Sequence, residues 1–116
     1  MQLDHVQLAI PAGSEPECRK FWGGVIGLQE LEKPPQLAAR GGAWFATGNI
    51  EIHLGVDASF IPAKKALPAF VVAEIDTLAA RLEKANHPVR WDDAIAGRQR
   101  FFTDDPVGNR VEFIAG

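Results

Sequence analysis

The sequence predicts an α+β protein made of two β-α-β-β-β modules. Three observations carry this. Several short stretches alternate apolar and polar residues with the period of a strand. Two stripes of apolar residues recur at helical spacing. The order strand, helix, three strands occurs twice within 116 residues.

In the first module, residues 3–10 alternate as a strand. Ser14 and Glu17 have capping-box spacing, which predicts a helix start. Cys18, Phe21, Trp22, Val25 and Ile26 then fall at i, i+3, i+4, i+7 and i+8, one helical stripe that Gly27 ends. Strands follow at about 28–32, 43–47 and 50–56, with a tight turn at Gly48-Asn49. Residues 57–67, with Pro62 and Lys64-Lys65, form a connector. In the second module Ala69-Phe70-Val71-Val72 is a strand. Ile75, Leu78, Ala79 and Leu82 make the second stripe, which stops at Asn86-His87-Pro88. Strands follow at about 88–92, 99–103 and 109–114, with a turn at Asp105-Pro106-Val107-Gly108. The expected organisation is one domain, 1–116, with modules at about 1–57 and 67–116.

Bulk properties narrow the partners. The chain carries 12 Lys and Arg against 15 Asp and Glu, a net charge of −3. No basic stripe is present, so no nucleic-acid partner is expected. No run approaches the ~20 apolar residues that span a bilayer. A single cysteine, Cys18, suits a reducing compartment. The first residues read as a strand and not as a basic-then-apolar signal region, so the expected location is the cytoplasm.

Three stretches place chemistry on strands. Side chains alternate between the two faces of a strand. His5 therefore opposes Val6, Leu8 and Ile10. Glu51 and His53 oppose Ile50, Ile52 and Leu54. Glu112 opposes Val111 and Phe113. Each stretch sets an imidazole or carboxylate against an apolar face, as a sheet needs when one side packs on helices and the other lines a site.

Asp105-Pro106-Val107-Gly108-Asn109-Arg110-Val111-Glu112-Phe113 resembles the D-P-x-G-x-x-x-E-[FL] signature of the glyoxalase, bleomycin-resistance and extradiol-dioxygenase superfamily, the vicinal oxygen chelate family. Asp4-His5-Val6 with Phe21-Trp22-Gly23-Gly24-Val25-Ile26-Gly27-Leu28 resembles that family's opening pattern. The resemblance runs over nearly the whole chain. It implies paired βαβββ modules forming a curved mixed sheet, a cup, with helices on the outer face. It also implies a homodimer and a small-molecule ligand in the cup.

In that resemblance His5 matches the first-strand metal ligand and Glu112 the last-strand carboxylate, which serves as ligand and sometimes as base. Glu51 matches a carboxylate of glyoxalase I-like members. His53 lies two residues on, about 7 Å along a regular strand, so one of the two is expected to bind and not both. The candidate metal set is thus His5, Glu51 or His53, and Glu112, for a divalent Zn, Ni, Fe or Mn. One departure weakens it: Leu67-Pro68-Ala69-Phe70 stands where the family pattern opens with a ligating His. Leu67 has no lone pair to give, and an active divalent ion usually keeps three protein ligands. His87, Asp92-Asp93 and Asp104-Asp105 read as turn residues. Glu112 has a second, structural reading as the ion-pair partner of Arg110.

Ligand-binding candidates are Arg110, Arg100, Trp44 and Gln7. Arginine on a site-facing strand suits an anionic group held through two hydrogen bonds. Trp44 and Phe45 point to opposite faces, so one of them lines the site. Two functions follow. One is a metal-free protein that binds a small, anionic or oxygen-rich molecule. The other is a metal-dependent lyase, isomerase, dioxygenase or group transferase using His5, Glu51 or His53, and Glu112. The fold does not choose between them.

Overall fold

The structure is a computed structural model that describes residues 1–116. It comprises two compact units, Met1–Pro62 and Ala63–Gly116. Each is built on one four-stranded mixed sheet.

The first unit contains β1 (His5–Ile10), α1 (Glu15–Arg19), a π-helical continuation (Lys20–Val25), β2 (Gln29–Leu31), a short α2 (Pro35–Ala38), β3 (Ala43–Thr47) and β4 (Ile50–Val56). The sheet order is β1-β4-β3-β2. β1 runs parallel to β4, and β3 is antiparallel to both of its neighbours. β1 is shorter than the sequence suggests. His5 pairs with Glu51 at the start of the ladder, which leaves Leu3 without a partner strand and 64% exposed.

The first helix departs from expectation in two ways. Ser14 does not cap it. Its hydroxyl donates to the carbonyl of Pro11 at 2.7 Å instead. Pro16 sits in the first turn and has no N–H, so one donor that a cap would satisfy does not exist. Glu15 is used across the unit, its Oε2 accepting the Gly42 N–H at 2.9 Å. The stripe also widens. Ile26 N–H donates to the carbonyl of Phe21, five residues back. Such an i→i+5 turn rotates later residues off the original line. Cys18, Phe21 and Trp22 are buried, whereas Val25 and Ile26 are only half-buried.

The second unit contains β5 (Ala69–Val72), α3 (Ile75–Lys84), β6 (Arg90–Asp92), β7 (Arg100–Asp104) and β8 (Arg110–Ala115), in sheet order β5-β8-β7-β6. α3 buries Ile75, Leu78, Ala79 and Leu82, the expected stripe. Its end is a Schellman motif. His87 N–H donates to Leu82, and Asn86, at φ 65°, donates to Glu83. The Asp105–Gly108 turn closes with Gly108 N–H on the Asp105 carbonyl, and Gly108 has φ 95°. The Asp105 carboxylate accepts the N–H groups of Val107 and Asn109 at 3.1 and 2.8 Å. Asn109 Oδ1 in turn accepts the Ala63 N–H, tying the entry segment to this turn.

Each sheet separates its faces as strand parity requires. Leu8, Ile10, Phe45, Ile52 and Leu54 form the first core with Cys18, Phe21 and Trp22. Phe101, Val111 and Phe113 form the second with the buried side of α3. No helix is long and apolar enough to cross a membrane.

Candidate functional site

In the first unit the polar face of β1, β4 and β3 carries a column of rings. Register sets it. Gln7 pairs with His53 across β1 and β4, and Trp44 pairs with His53 across β3 and β4. His53 is stacked on Trp44 at 3.9 Å between centroids and 4° between planes. On its other side His5 stacks on it at 4.0 Å and 14°. His53 Nε2 is 2.8 Å from Glu51 Oε1, and His5 Nδ1 is 2.8 Å from Asp4 Oδ2. Gln7 lies over Gly55 on the same face. Trp44, not Phe45, is the aromatic residue of this face; Phe45 is fully buried on the other.

In the second unit the polar face of β6, β7 and β8 carries Arg90, Asp92, Arg100, Phe102, Asp104, Arg110 and Glu112. Glu112 is buried, with its side chain 10% exposed. Arg100, and not Arg110, is its ion-pair partner. Arg100 Nη1 donates to Glu112 Oε2 at 3.0 Å, and Nη2 donates to Asp92 Oδ1 at 3.0 Å. The ladder explains the choice: Phe102 stands opposite Glu112, so Arg100 reaches it on the diagonal, and Arg110 stands opposite Asp104. The hydrogen bond to Glu112, with the nearby Asp92 charge, holds the Arg100 guanidinium in its charged form even more firmly than usual. Asp104 forms a two-bond pair with Arg90 at 2.9 and 3.0 Å.

Arg110 stands apart. Its guanidinium carbon lies 6.0 Å from the centroid of the Phe102 ring, and that of Arg100 lies 5.3 Å from it. Its side chain makes no hydrogen bond or salt bridge, and its Nε is buried without a partner.

Neither unit by itself presents a donor set that fits a divalent metal centre. No group of three His, Cys, Asp or Glu residues is arranged to hold one. An imidazole ligates through a lone pair in the plane of its ring. The near-parallel His5 and His53 rings send theirs into separate planes. Glu51 is engaged by His53, and Glu112 by a permanently charged guanidinium.

Sequence reading missed three acids of this chemistry, Asp104, Asp92 and Asp4; Asp104, expected in a turn, ends β7 and holds Arg90. In the sequence Asp92 reads as a turn residue. It does accept the Ala94 N–H there, but it also braces Arg100. Pairing the strands at 88–92 and 99–103 as a hairpin brings Asp92 opposite Arg100 and would have revealed it. Asp4, the partner of His5, precedes β1, so the strand parity expected over residues 3–10 does not set which side chain it meets.

The repeated βαβββ unit, with an apolar face under helix in each copy and a polar face that bears stacked rings and an acid in the first and acids and arginines in the second, defines an α+β protein of the duplicated-module class. Among solved structures, a glyoxalase family protein from Bacillus anthracis is similar over 100% of this chain and 95% of its own, at 47% identity and a TM-score of 0.96. The chain belongs to the glyoxalase family. The fold also recurs in a lactoylglutathione lyase from Agrobacterium tumefaciens (21% identity, TM-score 0.77, 99% of this chain and 93% of that one). It recurs again in the fosfomycin resistance protein FosX from Listeria monocytogenes (15%, 0.79, 100% and 93%). No protein-family model matches the chain, and no curated protein does.

Proposed function

We propose that this glyoxalase family protein binds a small, anionic or oxygen-rich molecule without a metal, and that Arg110 on the polar face of β6–β8 receives its anionic group. The observation that supports this is the unpaired guanidinium. Every other arginine on that face is committed to a carboxylate: Arg90 to Asp104, Arg100 to Glu112 and Asp92. Arg110 feels the charge of Asp104 opposite it on the ladder but forms no ion pair with it, and its buried Nε lacks an acceptor. A buried donor left unpaired costs roughly 1–3 kcal/mol. A carboxylate, phosphate or phosphonate supplies two oxygens in the geometry of a guanidinium fork. Phe102 offers an apolar wall beside it. Trp44 and Gln7 are the corresponding candidates in the first unit. Homodimeric assembly and a cytoplasmic location accompany this reading, as expected from the family resemblance and the lone thiol.

Calorimetric titration tests it, with lactoylglutathione and fosfomycin as anionic probes named by two proteins of the same fold. At least one probe is expected to bind the metal-free protein, and Arg110→Met to weaken it by about tenfold, the loss of one charge-assisted contact. Equal binding by wild type and Arg110→Met, or no binding of either anion, removes the proposal. Binding that requires an added divalent ion points to the metal-dependent enzyme instead.

A further inference from the structure

We propose that the Arg100 guanidinium stands where a divalent cation would sit on Glu112, so that the second unit carries its own fixed cation and Arg100 itself excludes metal from this carboxylate. The anion-binding reading is not needed for this, because the probe is the metal alone.

The placement supports it. Glu112 Oε2 is the acceptor of Arg100 Nη1 at 3.0 Å, and Asp92 Oδ1 accepts from Nη2 at the same distance. The guanidinium thus bridges two carboxylates on one sheet face and lies against the Phe102 ring. Its side chain is 15% exposed, so water screens its charge poorly. A zinc ion needs carboxylate oxygen at about 2.0–2.2 Å. An ion so close to Glu112 would face a positive charge that cannot be deprotonated. Leu67 compounds this. It lies just before β5, where the Pro68 carbonyl accepts the Glu112 N–H, and it offers no donor. Removing the guanidinium leaves Asp92 on β6 and Glu112 on β8 as two oxygen donors on one face, on the strands that flank β7.

The test is titration of the full-length protein with Zn²⁺, by calorimetry and by the shift of its thermal midpoint. Four proteins are compared: wild type, Leu67→His, Arg100→Met and the double variant Leu67→His/Arg100→Met. Wild type and Leu67→His are expected to bind Zn²⁺ no better than millimolar. Arg100→Met is expected to gain at least tenfold, and the double variant more than Arg100→Met alone. Tight one-to-one binding by wild type or by Leu67→His with Arg100 in place overturns the proposal. So does a folded Arg100→Met protein with unchanged Zn²⁺ affinity. If Arg100→Met does not fold, Arg100→Lys replaces it: retained charge predicts continued exclusion of Zn²⁺, and micromolar binding by that variant overturns the idea.

Discussion

The imidazole of His53 lies parallel to the indole of Trp44, 3.9 Å away and tilted by only 4°. His53 is 5% exposed, with His5 covering its other side. Two aromatic contacts and the Glu51 hydrogen bond therefore fix one side chain. Stacked pairs contribute roughly 0.5–1.5 kcal/mol each beyond area burial. His53→Ala should destabilise the protein by about 2 kcal/mol, read as a lower urea midpoint with an unchanged slope. A cost below about 0.5 kcal/mol, the size of an ordinary surface change, would mean that the stacked column adds nothing to stability.

Gly42 tests how β3 begins. It has φ 81°, and a Cβ built there collides with the carbonyl oxygen of Leu54 on the neighbouring strand. Backbone cannot yield as a side-chain tip does. Gly42→Ala should cost more than about 3 kcal/mol through strain and lost β3–β4 pairing. Soluble expression and urea unfolding report it. A variant as stable as wild type would show that the loop before β3 relaxes freely.

The Asp105 carboxylate holds the turn before β8. It is 4% exposed and accepts two backbone N–H groups. Asp105→Ala leaves both donors unpaired, so a loss of about 2–4 kcal/mol is expected. Asp105→Asn keeps an acceptor and should lose less than half as much. If the two variants are equally destabilised, charge and not hydrogen bonding holds the turn.

Glu15 supplies a pH prediction. The Gly42 N–H, donating to its carboxylate, is the largest of the influences that hold it below the usual 4.5. A lowered acid stabilises the fold above its unfolded pKa, and that contribution is lost as pH falls through the folded value. Glu15→Gln should therefore be less stable than wild type by up to about 1 kcal/mol at pH 7. The gap should close as pH falls below 4.5. Urea midpoints of both proteins across pH 7 to 3 measure it; a gap that widens on acidification contradicts the sign.

Much of this was legible in the chain. The period-two alternation at His5–Ile10, Ile50–Val56 and Arg110–Ala115 placed His5, Glu51, His53 and Glu112 on polar faces before any coordinates. Parity is a property of the strand itself. The Asn86-His87-Pro88 stop and the Asp105–Gly108 turn were legible for the same reason, since local backbone geometry selects their residues. The π-helical widening after Arg19 was not. It depends on how Phe21 and Trp22 seat in the core, and the spacing of apolar residues does not encode that.

The sequence by itself determined the duplicated βαβββ order and the two apolar faces, because these follow from local periodicity and from turn residues at fixed offsets; the family was legible only as a resemblance of the Asp105–Phe113 and Asp4–Leu28 stretches to its motifs. Only the tertiary structure decided which groups hold one another. It gave Glu112 to Arg100 and left Arg110 unpaired. It stacked His5, His53 and Trp44 in one column. Those outcomes depend on strand register, where a shift of one residue moves every side chain to the other face and exchanges every cross-strand partner.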